Sequence, residues 1–342
     1  MEHVSELYEA TIAWVFNTLV NPTLYSLGLM SWSDRAYDGT AFLVAGVLQV
    51  VATAAICIPL ERVNPVQRID LQANVRTDVI YTLINKLGLM PLFAFAVLWL
   101  ALRPLEGEAR MLGFTPWSLE DFWPALAAMP ALSLAFYLVI IDCGEYWRHR
   151  FQHRLQWWWQ LHALHHAQRD MTFWSDNRNH ILDTLLAAFW IALIALLIGI
   201  PPEHFPFVIF ALEFIESLSH ANLRWNFGPL KYVIVSPQFH RVHHSIEPNP
   251  NGAQQSANFS VVFSFWDKLF GTADFSDAYP PTGIRDQLEG RNPVLECLSR
   301  ARRKVHRIWL DQGSRPDPKL DRILALAEAA RVKVERVPRQ RL

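Results

Sequence analysis

The chain has 342 residues, of which 51% are hydrophobic and only 18% are charged, and its formal net charge is −1. This composition is too apolar for an ordinary soluble domain, and it predicts a membrane protein with a substantial polar part. The lack of net basic charge argues against a nucleic-acid partner, and three widely spaced cysteines argue against a disulfide framework or an iron–sulfur site.

Apolar runs long enough to cross about 30 Å of hydrocarbon predict transmembrane helices. Pro201, Pro202 and Glu203 separate the last two runs, which indicates a helical hairpin that returns to its starting side. Thr11 to Met30 is apolar but interrupted, which favours an interfacial or partly inserted helix, with an additional span as the alternative. The predicted spans lie at about 41 to 60, 81 to 101, 123 to 141 and 181 to 200, followed by a shorter run at about 206 to 219.

Lys and Arg concentrate on the cytoplasmic side of membranes, so their distribution predicts how the chain is oriented. They are frequent in the loop at 61 to 78, in the region 143 to 180 and after His220. With the N-terminus outside, all three regions lie on the cytoplasmic side. We therefore expect a multi-pass protein of the bacterial inner membrane or the eukaryotic endoplasmic reticulum.

Eleven of the 13 histidines fall between His149 and His244, and eight of them form three clusters. Residues three and four apart share one helix face, so each cluster can direct its imidazoles at one point. Imidazole suits iron, zinc, copper and nickel, and a structural zinc ion needs only four ligands, so the pattern predicts two metal ions. The clustered ligands, which are also the predicted catalytic residues, are His149, His153, His162, His165, His166, His240, His243 and His244.

Two further histidines, His180 and His220, lie at the ends of apolar helices on the same side as the clusters. Each is predicted either to bind metal or to form a hydrogen bond to a ligand.

Carboxylates accompany the histidines at helical spacing. A metal-bound histidine usually donates its second ring N–H to a carboxylate or carbonyl, so these acids are predicted to orient the ligands. Asp142 and Glu145 have an alternative role as markers of the membrane boundary or as helix caps. The predicted partners are Asp142, Glu145, Asp176, Asp183 and Glu216.

Five segments carry a resemblance: DCGEYWRHRFQH, WWWQLHALHHAQRDM, SDNRNHILDTLL, SPQFHRVHHS and NFSVVFSFWDKLFGT, between about Ser133 and Ala273. In order and spacing they resemble the fatty acid hydroxylase superfamily, also called the sterol desaturase family. The resemblance implies a membrane enzyme with a di-iron centre that uses O2 and two electrons to hydroxylate, or sometimes desaturate, a lipid. It also implies that the eight clustered histidines hold two Fe ions, and zinc is a possible replacement in purified protein.

The predicted fold is therefore an all-α, integral membrane bundle of about four spans, the last with a hairpin return, under a cytoplasmic histidine-rich helical cap. Its predicted domains are N-terminal membrane helices at 1–130, a fatty acid hydroxylase-like di-iron domain at 131–275 and a cytoplasmic tail at 276–342. Within that tail, Leu320 to Arg336 is predicted to be helical.

The electrons are expected to come from a separate protein, cytochrome b5-like or a ferredoxin with its reductase, because the sequence has no heme, flavin or NAD motif of its own. A desaturase of the same architecture is an alternative, and so is a non-enzymatic heme-binding or zinc-binding membrane protein. The sequence does not identify the lipid substrate, and the alternatives are a sterol, an ornithine lipid, a sphingoid base, an ether lipid, a carotenoid and a fatty chain.

Overall fold

The computed structural model describes residues 2–69, 75–87, 107–108, 111–114, 117–201, 204–247, 257–284, 291–301, 305 and 307–338, with positions 90, 93 and 97. Within these residues the protein is mostly helical, as predicted. It divides into two compact units, Met1–Ile284 and Arg285–Leu342.

The first unit contains only helices and turns among its described residues, apart from one isolated bridge between Ser245 and Thr282. Short 3₁₀ or π turns join several of the helices. The helices are α1 (Glu2–Val15), α2 (Asn21–Ser26), α3 (Ser33–Val63), α4 (Val75–Lys86), α5 (Leu119–Phe122), α6 (Pro130–Arg154), α7 (Gln156–His166), α8 (Ile181–Leu197), α9 (Phe205–His220), α10 (Pro237–His243) and α11 (Phe265–Leu269).

Helix α3 contains the first predicted span. Together with the preceding turn it covers Met30–Val63, its most apolar window has a mean hydropathy of 2.4, and it is the one helix among the described residues that is long and apolar enough to cross a membrane. Only 22% of its most apolar window is buried within the protein. The helix ends at Val63, just before Asn64, because the following Pro65 disfavours helical backbone at the residue before it.

The other predicted spans differ in length from the observed helices. At 123 to 141 the continuous helix begins only at Pro130, because Pro124 and Pro130 each start a new helical segment. The runs at 181 to 200 and 206 to 219 form α8 and α9. The run at 81 to 101 overlaps the end of α4, and most of its remainder lies outside the described residues.

Helices α6, α8 and α9 pack side by side so that their histidines share one end. Helix α8 runs antiparallel to α6, since the Trp190 indole N–H donates to the Gly144 carbonyl at 3.0 Å and Gln152 donates to Asp183 at 2.8 Å. Near the opposite end, Tyr137 of α6 packs in one apolar core with Val208 of α9. The C-terminal ends of α6 and α9 therefore lie beside the N-terminal end of α8.

The second unit is a small α/β structure rather than a helical tail. It contains α12 (Arg291–Arg300), β1 (Arg307–Asp311), α13 (Pro318–Ala329) and β2 (Lys333–Val337). The two strands are parallel and in register from Arg307↔Lys333 to Asp311↔Val337. Leu298, Ile308, Ile323 and Ala327 form its core.

The helix predicted over Leu320 to Arg336 is wrong beyond Ala329. Asp317 caps α13 by accepting from the Leu320 N–H at 2.8 Å, but after Ala329 the apolar residues Val332 and Val334 alternate with charged ones. Alternation with a period of two is typical of a strand, and the apolar face packs, partly buried, against the core of this unit.

Candidate metal centre

Nine histidines converge at the shared end of the helices. They form two adjacent groups, and within each group one ring nitrogen of every histidine lies within 4.8 Å of those of the others. The five-histidine group contains His149, His153, His162, His166 and His243, and the four-histidine group contains His165, His220, His240 and His244. These are the eight clustered histidines and His220, so the structure brings together all the predicted ligands except His180.

Each helix contributes through the spacing seen in the sequence. The last two turns of α6 carry His149 and His153, and the last turn of α7 carries the HALHH cluster. Helix α9 ends at His220, and the short helix α10 carries the HRVHH cluster. Ser236 caps α10 by accepting from the Phe239 N–H at 3.1 Å, so this two-turn helix has a defined start.

Backbone carbonyls set the tautomer of three of these histidines. Nδ1 of His149 lies 2.8 Å from the Phe259 oxygen, and Nδ1 of His243 lies 2.7 Å from the Ala257 oxygen. Nδ1 of His220 lies 2.7 Å from the oxygen of Glu216, one turn earlier in α9. A carbonyl only accepts, so each Nδ1 carries the proton and each Nε2 presents a lone pair.

These lone pairs point at one another, which is the arrangement that a cation stabilises. His220 Nε2 lies 3.1 Å from Nε2 of His165 and 3.1 Å from Nε2 of His240. In the other group, Nε2 of His149 and Nε2 of His162 are buried and have no hydrogen-bond partner within the described part of the chain. Buried polar atoms are rarely left unpaired, so the donor set fits two imidazole-bound metal ions.

Burial keeps these imidazoles neutral. It lowers the pKa of His149 and His166 well below the usual value, and neighbouring histidines add to the effect. Burial also lowers the pKa of His243 to about 3, although the hydrogen bond to Ala257 acts in the opposite direction. Neutral imidazole is the form that binds metal, so the groups are ready to coordinate at physiological pH.

Asp183 is the carboxylate that contacts a clustered histidine ring directly. It lies in the first turn of α8 and accepts hydrogen bonds from His162 Nδ1 at 3.1 Å, Trp158 Nε1 at 2.8 Å and Gln152 Nε2 at 2.8 Å. Its side chain is 3% exposed. Asp183 therefore holds His162 with its Nε2 directed into the five-histidine group.

The other predicted carboxylates form different contacts. Asp142 accepts from the N–H groups of Val262 and Phe263 at 2.8 and 2.9 Å, and Glu145 pairs with Arg148. Asp176 accepts from Ser217 and Asn177, and Glu216 meets His220 only through its backbone carbonyl. Asp142 thus acts on the loop 257–264, whose Phe259 oxygen orients His149, and not on a histidine ring.

His180 lies outside both groups. Its Nδ1 accepts from the Leu182 N–H at 3.2 Å, which makes it the N-terminal cap of α8. In the sequence, a histidine just before a helix can be either a helix cap or a metal ligand, and the spacing alone does not distinguish the two roles.

One orienting residue escaped the sequence analysis. Asp267 of α11 is fully buried and accepts from the N–H groups of Phe259 and Ser260 at 2.8 Å each, so it clamps the same loop as Asp142. The available signal was an aspartate in the WDKLF segment, directly after the apolar residues Phe265 and Trp266.

The chain is similar to one protein family in the region that carries the histidines and to several known proteins. Residues 134–272 match the fatty acid hydroxylase family. The ornithine lipid hydroxylase OlsE of Rhizobium tropici is 29% identical over 276 residues, which cover 78% of this chain and 77% of that protein. The human alkylglycerol monooxygenase is 27% identical over 45% of this chain, and methylsterol monooxygenase 1-3 of Arabidopsis thaliana is 26% identical over 44%.

The shared region is only part of some of these relatives. This chain covers 33% of the human alkylglycerol monooxygenase and 50% of the methylsterol monooxygenase. Residues 287–342 match a second family, described as RNA 2′-O ribose methyltransferase substrate binding, and this match corresponds to the α/β unit. No solved structure shows a significant match to the chain.

Proposed function

We infer that this chain, whose residues 134–272 belong to the fatty acid hydroxylase family, is a membrane-bound oxygenase that hydroxylates a lipid with O2. The observation that carries the proposal is the convergence of nine histidines, eight of them buried, whose ring nitrogens face one another in two groups. The relatives named above are lipid hydroxylases and monooxygenases, which supports the same reaction class here.

We propose two iron ions, one in each histidine group. Bound there, they would supply the oxidising power that an unactivated C–H bond requires. The protein holds the ligands in place through Asp183 and through the carbonyls of Phe259, Ala257 and Glu216. Imidazole ligands also bind zinc tightly, so zinc is expected as a replacement in purified protein.

The lipid would reach the site from the membrane. Beside the histidine clusters, large apolar side chains are exposed, with Trp157 at 54%, Leu182 at 50% and Ile181 at 47%. Such a patch marks a surface that meets another apolar phase. We propose that this end of the helices lies at the cytoplasmic face of a multi-pass protein, where acyl chains can enter at the level of the headgroups.

Two electrons per turnover would come from a separate carrier protein. The unit Arg285–Leu342 has fifteen Lys and Arg against eight Asp and Glu, a net charge of +7, although the whole chain has −1. A basic surface of this kind attracts an acidic carrier and speeds its encounter, and the effect weakens with salt. We propose this unit as the docking region.

The test is a product analysis with isotopically labelled oxygen. Cells that express the chain are grown under ¹⁸O₂, and their lipids are compared by mass spectrometry with those of cells that express His166→Ala. The proposal predicts a lipid that carries one ¹⁸O atom only with the unaltered chain. A product that lacks two hydrogens and gains no oxygen would show a desaturase, and identical lipidomes would refute an oxygenase.

A further inference from the structure

The apolar helix α3 carries two buried polar side chains at its middle. Gln49 and Thr53 are 5% and 4% exposed, and a spacing of four residues places them on the same helix face. Gln49 Nε2 and Thr53 Oγ1 have no hydrogen-bond partner among the described residues. Unpaired buried donors are costly within an apolar helix layer, so their presence indicates a ligand that satisfies them.

Both side chains line one small cavity between α3, α4, α9 and the turn Ser175–Asn177. The cavity measures about 10 Å³, which is the space that one water molecule or one ligand oxygen needs. The helices approach closely beside it because Gly46, one turn before Gln49, has no side chain, and a Cβ there would collide with the Lys86 carbonyl. The remaining wall contains Val50, Thr82, Phe173, Trp174 and Ser217.

The charge of the cavity is already balanced. Lys86 lines it and forms an ion pair with Glu213 of α9 at 2.8 Å, and the Lys86 side chain is only 10% exposed. A charged headgroup would need further counter-charge and more space than one oxygen atom occupies. The Gln49 amide and the Thr53 hydroxyl instead supply two neutral donors, which match the two lone pairs of a carbonyl oxygen.

The cavity is also linked to the metal centre. Ser217 lines it and donates to Asp176, and His220 follows Ser217 by three residues on the same face of α9. Most of the apolar window of α3 is not buried within the protein, so a lipid lying along this helix can reach the cavity. An oxygen bound at Gln49 and Thr53 would fix how far the acyl chain extends toward His220.

We propose that Gln49 and Thr53 bind the carbonyl oxygen of an ester-linked or amide-linked acyl lipid, and that they set the carbon that is oxidised. This inference rests on the proposed lipid oxygenase and narrows its substrate to acyl lipids. It makes both residues positioning residues, because they contact the lipid away from the reacting carbon.

The test compares binding of two lipids to zinc-loaded protein, which carries out no turnover. Native mass spectrometry measures how a diacyl phosphatidylethanolamine and its diether analogue compete for the full chain. The analogue lacks only the carbonyl oxygens. We expect the unaltered chain to prefer the diacyl lipid by about tenfold, and Thr53→Val or Gln49→Leu to reduce the preference to about one- to twofold, with both zinc ions retained.

The matched control is Thr40→Val. Thr40 is also buried in α3, but its hydroxyl donates to the Ala36 carbonyl at 2.7 Å and Thr40 is not among the residues that line this cavity, so the lipid preference should persist. Equal binding of both lipids to the unaltered chain would refute the inference. A preference for the diacyl lipid that persists in both Thr53→Val and Gln49→Leu would also refute it. In either case the cavity would hold only water. Failure of the oxygenase proposal would appear separately, as an iron-loaded chain that binds lipid but does not oxidise it.

In the iron-loaded enzyme, the same variants provide a second readout. Loss of the carbonyl contact should raise KM about five- to tenfold and broaden the range of oxidised positions, while the metal content stays at the unaltered value. A fall in bound metal with unchanged product positions would show a structural role and overturn the assignment.

Discussion

Asp183→Asn is the substitution that tests most directly how the protein holds its metal ligands. The change preserves the size of the side chain but removes the charge and replaces one acceptor oxygen with an NH₂ group. Asp183 accepts three hydrogen bonds, from His162, Trp158 and Gln152, so the new NH₂ group would face at least one donor. Trp158 and Gln152 both donate to Oδ1, so the amide orientation that keeps these two bonds places the NH₂ group opposite His162, which loses the contact that fixes its tautomer.

The expected loss falls mainly on one metal ion. Replacing a residue that orients a metal-bound histidine lowers metal affinity about ten- to a hundredfold, which corresponds to about 1.4 to 2.7 kcal/mol. A mismatched buried donor adds about 1 to 3 kcal/mol of lost folding stability. Because His162 belongs to the five-histidine group, that ion should weaken first while the ion of the four-histidine group stays bound.

The assay is a chelator titration of zinc-loaded protein, followed by measurement of the remaining metal. Compared with the unaltered chain, Asp183→Asn should release one of its two ions at about ten- to hundredfold lower chelator concentration, so that the two release steps move apart. Asp78→Asn serves as the control, because Asp78 is fully buried and bonds Ser175 and Arg178 instead of a histidine. The reasoning fails if Asp183→Asn titrates like the unaltered chain, or if Asp78→Asn separates the steps equally.

Three further predictions concern the ligands, their titration and their sidedness. Single alanine substitutions of His165, His166, His243 or His244 should abolish turnover. His204→Ala should keep most of the activity, because His204 lies at the other end of α9. Turnover by any of the first four variants would contradict the proposed ligand set. The metal-free protein should be most stable above about pH 6.5, and its free energy of unfolding should fall as the pH is lowered to about 3. Each buried histidine should contribute a loss of up to about 1.4 kcal/mol per pH unit. The reason is that histidines bind protons in the unfolded chain, whereas burial lowers the pKa of imidazoles such as His243 to about 3 in the folded protein. A denaturant midpoint that does not change between pH 7.5 and pH 5 would contradict it. Cysteines introduced at Trp117 and Asp170 should react with an impermeant reagent from opposite sides of the membrane; labelling of both from one side would exclude the proposed orientation.

The ligand clusters could be predicted because their geometry is local. A spacing of three or four residues fixes which imidazoles share a helix face, whatever the rest of the chain does. The meeting of three distant segments depends on the packing of α6 against α8 and α9. That packing was expected only because the apolar run at 181 to 219 had to return to its starting side.

The roles of single acids could not be predicted in the same way. Asp142 has helical spacing from His149, yet its carboxylate turns to the backbone of Val262 and Phe263, 120 residues later in the chain. Asp183 meets His162 across two helices, and Asp267 stabilises a loop that approaches α6 only in the folded state. Such contacts depend on tertiary structure, which sequence spacing does not encode.

The C-terminal unit illustrates a different difficulty. Lys333–Val337 is a five-residue segment with three charged residues, and its strand exists because β1 lies beside it in parallel register. In a strand this short, the alternation of apolar and polar residues is a weak signal. The helical pattern of the preceding segment, which forms α13, therefore favours the prediction of one longer helix.

The central claim is that two separate histidine groups each bind one metal ion, and native mass spectrometry of the full chain after reconstitution tests it most directly. The unaltered protein should carry two ions. His240→Ala and the paired variant His149→Ala/His162→Ala each leave three histidines in one group and should each carry one ion, and the combination of all three substitutions should carry none. A single ion in the unaltered chain, or two ions retained in His240→Ala or in the paired variant, would contradict the account.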